Sequence, residues 1–406
     1  FSWWQKITQP NDYPITFSCG STSVTTGFWE MRLGSLGLYL RFKDSTTVVL
    51  NSNDKFRDPS AWYHCVIAVD TTQATSSNRI KMYVNNRQIT SFENENYPSQ
   101  NFNNFRVNST DQHQWGYGKS SSGAVDGPLD SYLAEINFID GQQLTPSSFA
   151  ETDATTGQWN PINTSGLTFG TNGYRLQFAD NSGTSSTTLG KDSSGNGNNF
   201  TPNNFAVSDA VKDTPTNNFC TFNQLSNYDG MTLAEGNLKA NSGGGWDQVR
   251  GTMGVSSGKW YFEVRCNEID GGAGQERWIG GIHEMFGRDT GGTYIYNSSY
   301  TASNYGYAYG VQDNNQRRTN GGSDDAFSSD VTPSKVVGVR MNLDDNEILI
   351  SVDGVDKGKM YDIQGGRTYT PFFNCKNSGT GATLNCGQDS TFHGQESSGG
   401  NTDSGG

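Results

Sequence analysis

The residues able to do chemistry are few and scattered. Four histidines (His64, His113, His283, His393) share no metal-ligand spacing. Six cysteines (Cys19, Cys65, Cys220, Cys266, Cys375, Cys386) contain no C-x-x-C, which argues against a zinc ribbon or a thioredoxin-like redox site. No G-x-S-x-G elbow occurs, and no glycine-rich phosphate loop ends in Lys-Ser/Thr. His64 lies in the apolar run Trp62-Tyr63-His64-Cys65-Val66-Ile67 and is expected to be a satisfied core residue, not a base. A retaining glycosidase needs two carboxyls about 5–5.5 Å apart, a separation that residues two apart on one strand face can supply. Glu268-Ile269-Asp270 comes nearest, but Gly271-Gly272-Ala273 follows and a third acid is missing. The expectation is a protein that is not an enzyme, with glycan hydrolysis as the third-ranked reading.

Binding chemistry is better represented. Sugars are held by flat apolar faces for stacking and by amide or carboxylate groups for hydroxyls. Two clusters offer both: His113-Gln114-Trp115-Gly116-Tyr117, and Tyr294, Tyr296 and Tyr300 with Asp313, Asn314 and Asn315 further on. Trp115, Tyr117, Tyr294, Tyr296, Tyr300, Asp313 and Asn315 are therefore the candidate ligand contacts. Trp62, Trp260 and Trp278 lie inside strand-like runs and are expected in cores. Hard cations want clustered oxygens. Asp126, Asp130 and Asp192 (with Asn196 and Asn198) are weak calcium candidates, set against the ordinary role of Asp and Asn in turns. No cofactor is expected otherwise.

The elements that must carry these groups are almost all strands. Gly37–Lys43 alternates Leu38, Leu40, Phe42 against Tyr39, Arg41, and Tyr132–Ile139 alternates throughout its length. Lys81-Met82-Tyr83-Val84, the turn Asn85-Asn86 and Arg87-Gln88-Ile89-Thr90 read as a hairpin, because Asn tolerates positive φ. Thr145-Pro146 is the one good helix start, good for a turn or two. In the second half Gly258–Val264 is the strongest strand, and Val336–Met341 with Glu347–Val352 forms a hairpin around Asp344-Asp345-Asn346. Cys375 and Cys386 flank Thr380-Gly381 symmetrically and could face each other across a hairpin, with free thiols as the default.

Composition agrees. The chain has 406 residues, 50 of them glycine, with 12% aromatic and only 17% charged residues, a balance suited to short strands and turn-rich loops. A net charge of −13 argues against nucleic-acid binding and against adsorption to anionic membranes. No apolar run approaches the ~20 residues of a membrane span. Residues 1–180 read as one β-sandwich, 181–218 as an irregular connector, 219–388 as a second sandwich and 389–406 as a Gly/Ser-rich tail. The abrupt opening and this tail suggest a segment of a longer polypeptide.

The first half resembles laminin-G-like, concanavalin A-like jelly rolls. The resemblance is carried by Asp58-Pro59-Ser60-Ala61-Trp62-Tyr63-His64, by Arg79–Asn85 and by Gly127–Ile136. The second half resembles SPRY domains through Gly258–Val264, Ile279-Gly280-Gly281-Ile282, Tyr305-Gly306-Tyr307 and the Val337-to-Asp353 hairpin. The combination is similar to virion proteins of marine bacteriophages. Glu135–Gln142, Gly157–Pro161 and Asp192–Phe205 are close to that group's wording. The resemblance implies an all-β protein of two antiparallel jelly-roll sandwiches, located in the virion as a tail fibre or spike. It further implies a homo-oligomer (a trimer) that binds host-surface polysaccharide or receptor and other virion proteins. A purely structural capsid- or tail-decorating appendage is the alternative. Laminin-G-like folds often carry one calcium site, and SPRY domains generally bind through loops at one end.

Overall fold

The computed structural model describes residues 1–10, 14–20, 27–43, 47–119, 125–228, 230–244, 246–266, 277–282, 306–311, 316–319, 325–326, 335–376 and 378–397. The chain is all-β and forms two compact units, Phe1–Asn218 and Phe219–Gly406, each an antiparallel sandwich of jelly-roll type.

In the first unit two six-stranded sheets face each other. One runs Tyr174–Leu176, Ser131–Phe138, Ser2–Ile7, Trp62–Val69, Ile80–Val84, Arg87–Gln88. The other runs His113–Trp115, Phe17–Gly20, Phe28–Gly34, Gly37–Lys43, Thr47–Ser52, Phe92–Asn96. Between them pack Trp3, Phe17, Trp29, Met31, Leu38, Leu40, Phe42, Cys65, Ile67, Met82 and Ile136. Gly37–Lys43 is a strand over the expected residues, with the expected face inward. The hairpin turn also forms, with Asn85 and Asn86 at φ 47° and 65°. The helix start at Thr145-Pro146 yields a single 3-10 turn, Pro146–Ser148.

The strand Ser2–Ile7 is buried at every position, so it has no solvent face. Trp3 and Ile7 enter the sandwich core, whereas Trp4 packs with Trp62 and Ala150 on the outer side. That outer side is covered by a third layer of chain: Val66 packs with Ile139, Phe149 and Phe169. A strand covered on both faces needs no polar alternation, which is why Ser2–Ile7 shows none.

The alternation expected over Tyr132–Ile139 breaks in the middle. Leu133, Ile136 and Phe138 pack on the sandwich core, whereas Tyr132 and Ala134 pack outside against Trp4 and Trp62. The cause is a bulge: register slips between Ser2↔Asn137 and Trp4↔Ala134, and Glu135 adopts φ 44°. One extra residue in a strand exchanges its two faces beyond that point.

Residues 181–218 are irregular, with one 3-10 turn at Val207–Asp209. They belong to the first unit. Phe200 sits 4.9 Å from the Tyr174 ring, whereas Phe205 is exposed. The stronger anchor is polar. Lys6 Nζ, fully buried, lies 2.7 Å from Asp213 Oδ2, itself fully buried. Trp62 Nε1 donates to Asp213 Oδ1 at 2.9 Å.

The second unit pairs two seven-stranded sheets. One includes Trp246–Gly251, Thr370–Lys376, Arg277–Ile282 and Gly306–Val311; the other includes Lys239–Asn241, Gly381–Asn385, Lys259–Cys266, Val336–Asn342 and Glu347–Val352. Phe262, Val264, Ile279, Val337, Val339, Ile348, Ile350, Tyr369 and Phe373 form its core. The expected hairpin turns through Asn346 at φ 57°. Two expectations are corrected. Trp260 is 51% exposed, because it lies at the start of its strand, outside the core that begins at Phe262, and its indole donates to Ser257 O. Cys375 and Cys386 do not face each other across a hairpin, since Thr370–Lys376 and Gly381–Asn385 belong to opposite sheets; neither forms a disulfide, and the Cys375 thiol donates to Thr380 O.

Candidate functional site

The expected ligand residues separate. Trp115 is part of the packing: its ring lies 4.9 Å from Phe17 and 6.1 Å from Trp3, and its indole donates to Tyr174 Oη at 3.1 Å. An indole engaged on both its face and its N–H does not offer a stacking platform. Tyr117, half-buried beside it, accepts a hydrogen bond at its carbonyl from Ser18 Oγ. Tyr294, Tyr296, Tyr300, Asp313 and Asn315 lie outside the described residues.

The calcium candidates divide similarly. Asp192 Oδ1 accepts from the backbone N–H groups of Arg175 and Ser194, and Oδ2 from Ser194 Oγ and the Asn198 N–H. Lone pairs turned toward four donors hold a loop together, as Asp does in turns. Asp130 Oδ1 accepts from Thr8 Oγ1 at 2.7 Å. Asp126 pairs with Gly118 in a two-stranded ribbon, and its side chain lies outside the described residues.

The structure instead presents a cleft of about 440 Å³ in the first unit, which the sequence did not signal. Its walls come from distant segments: Val66–Thr71, Phe105–Asn108 and Phe138–Leu144 all contribute. Apolar faces come from Trp29, Phe105, Phe138 and Phe149, and polar groups from Asp70, Asn108, Asp140, Gln142 and Gln143. The polar groups are set by local bonds. Asp140 Oδ1 accepts from Asn108 Nδ2 at 2.9 Å, and Oδ2 from the Asn172 N–H at 3.1 Å. Gln142 Nε2 donates to Thr168 O. Asp70 accepts from Thr72 Oγ1, Gln73 Nε2 and the Thr72 N–H, which hold its carboxyl below the usual range. An Asp70 stabilised as carboxylate is suited to accept hydrogen bonds and unsuited to serve as a general acid.

Behind this cleft lies a Ser–His contact that resembles half of a catalytic triad. Ser2 Oγ is 2.9 Å from His64 Nε2. Trp159 Nε1, a donor only, points at His64 Nδ1 from 3.0 Å, so Nδ1 accepts and the ring proton is assigned to Nε2. His64 therefore donates to Ser2 and cannot take its proton. Both residues are fully buried, and His64 stacks on Trp4 at 4.7 Å. It is a satisfied core residue, as its sequence context indicates.

Burial lowers the His64 pKa to about 3, and lowers that of His113 to about 4 even though the Asp111 charge and a hydrogen bond with the Val107 backbone favour its protonated form. Both folded values lie below the unfolded value near 6.5. The unfolded chain then takes up protons first as pH falls. Stability is fully present above about pH 6.5 and declines by about 1.4 kcal/mol per pH unit for each group below it. Thermal melts from pH 7 to 4.5 should show this decline, and His64→Gln should flatten it. An unchanged slope in that variant would remove His64 from the account.

No protein-family profile matches the chain, and no curated protein is similar to it in sequence. Among solved structures, the SPRY domain of human HERC1 matches 41% of this chain and 98% of its own, with 13% identity and a TM-score of 0.33. The TRIM65 PSpry domain matches 41% of this chain and 88% of its own, with 17% identity and a TM-score of 0.32.

Proposed function

We propose that this chain is a non-enzymatic recognition segment of a bacteriophage virion appendage, of tail-fibre or spike type, that binds a host-surface polysaccharide. The observation that carries the binding part is the cleft of the first unit. It sets the half-buried Phe105 beside the amides of Asn108, Gln142 and Gln143 and the carboxylates of Asp70 and Asp140. That is the chemistry of hydroxyl-rich ligands, which stack their apolar faces and bond their hydroxyls to planar acceptors. Sandwich strands on both sides keep the walls rigid while loops supply the contacts. The virion setting, the homo-oligomeric (trimeric) assembly and the absence of any required cofactor are carried by the sequence resemblance.

A glycan array of envelope polysaccharides tests this reading. Asn108 and Gln142 are exposed, so Asn108→Ala with Gln142→Ala should preserve the melting temperature. Binding should weaken at least about tenfold, the equivalent of one lost polar contact of ~1.4 kcal/mol. Retained binding would move recognition away from the cleft, and release of reducing ends would establish a glycanase.

The structural alternative has its own support. Leu225, Trp260, Tyr261 and Val355 of the second unit are each more than half exposed. Exposed large apolar residues suit contact with other virion proteins. Cross-linking within purified particles, with Trp260 as the probe position, distinguishes a protein contact from a free surface.

A further inference from the structure

The cluster under the outer layer of the first unit brings an amine, a carboxamide and a carboxylate together. Lys6 Nζ lies 2.7 Å from Asp213 Oδ2 and 2.8 Å from Asn218 Oδ1. Asn218 Nδ2 donates to Ser60 O at 2.6 Å, which sets the orientation of its amide and keeps the carbonyl end toward the amine. The Trp62 indole holds the second oxygen of Asp213 at 2.9 Å, and the Tyr132 ring lies 5.7 Å from Nζ. The Lys6 and Asp213 side chains have no solvent exposure, whereas Asn218 is exposed.

An ion pair without water is costly, and moving the proton from Nζ to Oδ2 removes both charges at once. An amine that has given up that proton is a nucleophile, and Nζ is held within hydrogen-bond reach of the Asn218 carboxamide, which replaces a bimolecular encounter with a fixed one. We propose that Lys6 and Asn218 are the partners of an intramolecular isopeptide bond, with Asp213 as the acid–base group. Nζ attacks Cγ of Asn218 and its electron pair forms the new C–N bond, while the carbonyl π pair moves onto Oδ1. The proton carried by Asp213 passes to Nδ2. The Cγ–Nδ2 bond then breaks as Oδ1 re-forms the carbonyl, and ammonia leaves toward the exposed side of Asn218. A proton on Nζ is released through Asp213 to the departing ammonia. The step is a condensation: one C–N bond replaces another, and no oxidant or metal takes part. The bond would tie the first strand of the unit to its last residue, 212 positions away.

Intact-mass measurement of the folded chain, unfolded immediately before analysis, tests the proposal. The expected mass is lower than the sequence mass by one ammonia, and proteolytic mapping should recover a branched peptide joining Lys6 to Asn218. Succinimide formation at an Asn-Gly pair sheds the same ammonia, so the branched peptide and the variant Asn218→Ala are the deciding readouts. In Asn218→Ala the full sequence mass should return with the fold retained, because that side chain is exposed. Asp213→Asn should retain the full mass as well. A full sequence mass in the native chain after prolonged incubation at pH 8 would overturn the bond and leave the cluster as an ion pair only. Loss of ammonia without the branched peptide would overturn it equally.

Discussion

Asp213→Ala is expected to lower the unfolding free energy of the first unit by about 3–5 kcal/mol, the range for removing one partner of a buried ion pair. The carboxylate serves two neighbours. It neutralises Lys6, which is fully buried, and it accepts the indole N–H of Trp62. Without it the buried Lys6 loses its counter-charge and the indole its acceptor, each at a desolvation cost. The comparison belongs on an Asn218→Ala background, where no covalent bond to Lys6 can form and the ion pair is measured alone. Urea unfolding followed by tryptophan fluorescence is the readout. Lys6→Met together with Asp213→Leu should recover most of the loss, since an apolar pair of similar volume carries no desolvation cost. If the single variant unfolds at the same urea concentration as its parent, the segment containing Asp213 is not anchored by this contact.

Trp62→Ala is the second large effect, expected at about 3–5 kcal/mol. The side chain is buried against Trp4, Ala150, Tyr132 and Trp159 on the outer side of the sheet. Its truncation opens a cavity there and leaves Asp213 Oδ1 without the indole donor. The matched control is Trp260→Ala. At 51% exposure that indole keeps much of its surface in water, so its loss should cost about 1 kcal/mol or less. Two tryptophans in similar strand contexts thus separate by several-fold in effect. Equal losses would mean that the half-exposed Trp260 is covered in the folded protein.

The two tryptophans also show what sequence context conveys and what it does not. Trp62 and Trp260 each stand among apolar residues on a strand-like run, and in both cases the run is a strand. Whether a strand residue is buried depends on what lies above its face. For Trp62 that cover comes from Ala150 and Trp159, in a two-stranded ribbon far along the sequence, and for Trp260 the core begins two residues later. Glu135 makes the same point within a single strand. Its alternating neighbours read as two constant faces, yet the bulge exchanges them, and no residue type there demands it.

By itself the sequence determined the all-β class, the hairpin at Asn85-Asn86, the Gly37–Lys43 strand with its buried face and the neutral, non-basic role of His64. These depend on local rules: period-two alternation, turn residues tolerant of positive φ, and an apolar run around one polar ring. Tertiary structure alone decided the rest. The cleft forms where segments around residues 70, 107 and 140 converge, and no residue pattern within any one of them points to a ligand. Lys6, Asp213 and Asn218 meet across more than half of the chain. Such a meeting is set by sheet order and layering, so spacing along the chain holds no trace of it. Trp115 illustrates the reverse loss: its neighbours suggest an open aromatic loop, but the fold spends its ring and its N–H on Phe17 and Tyr174.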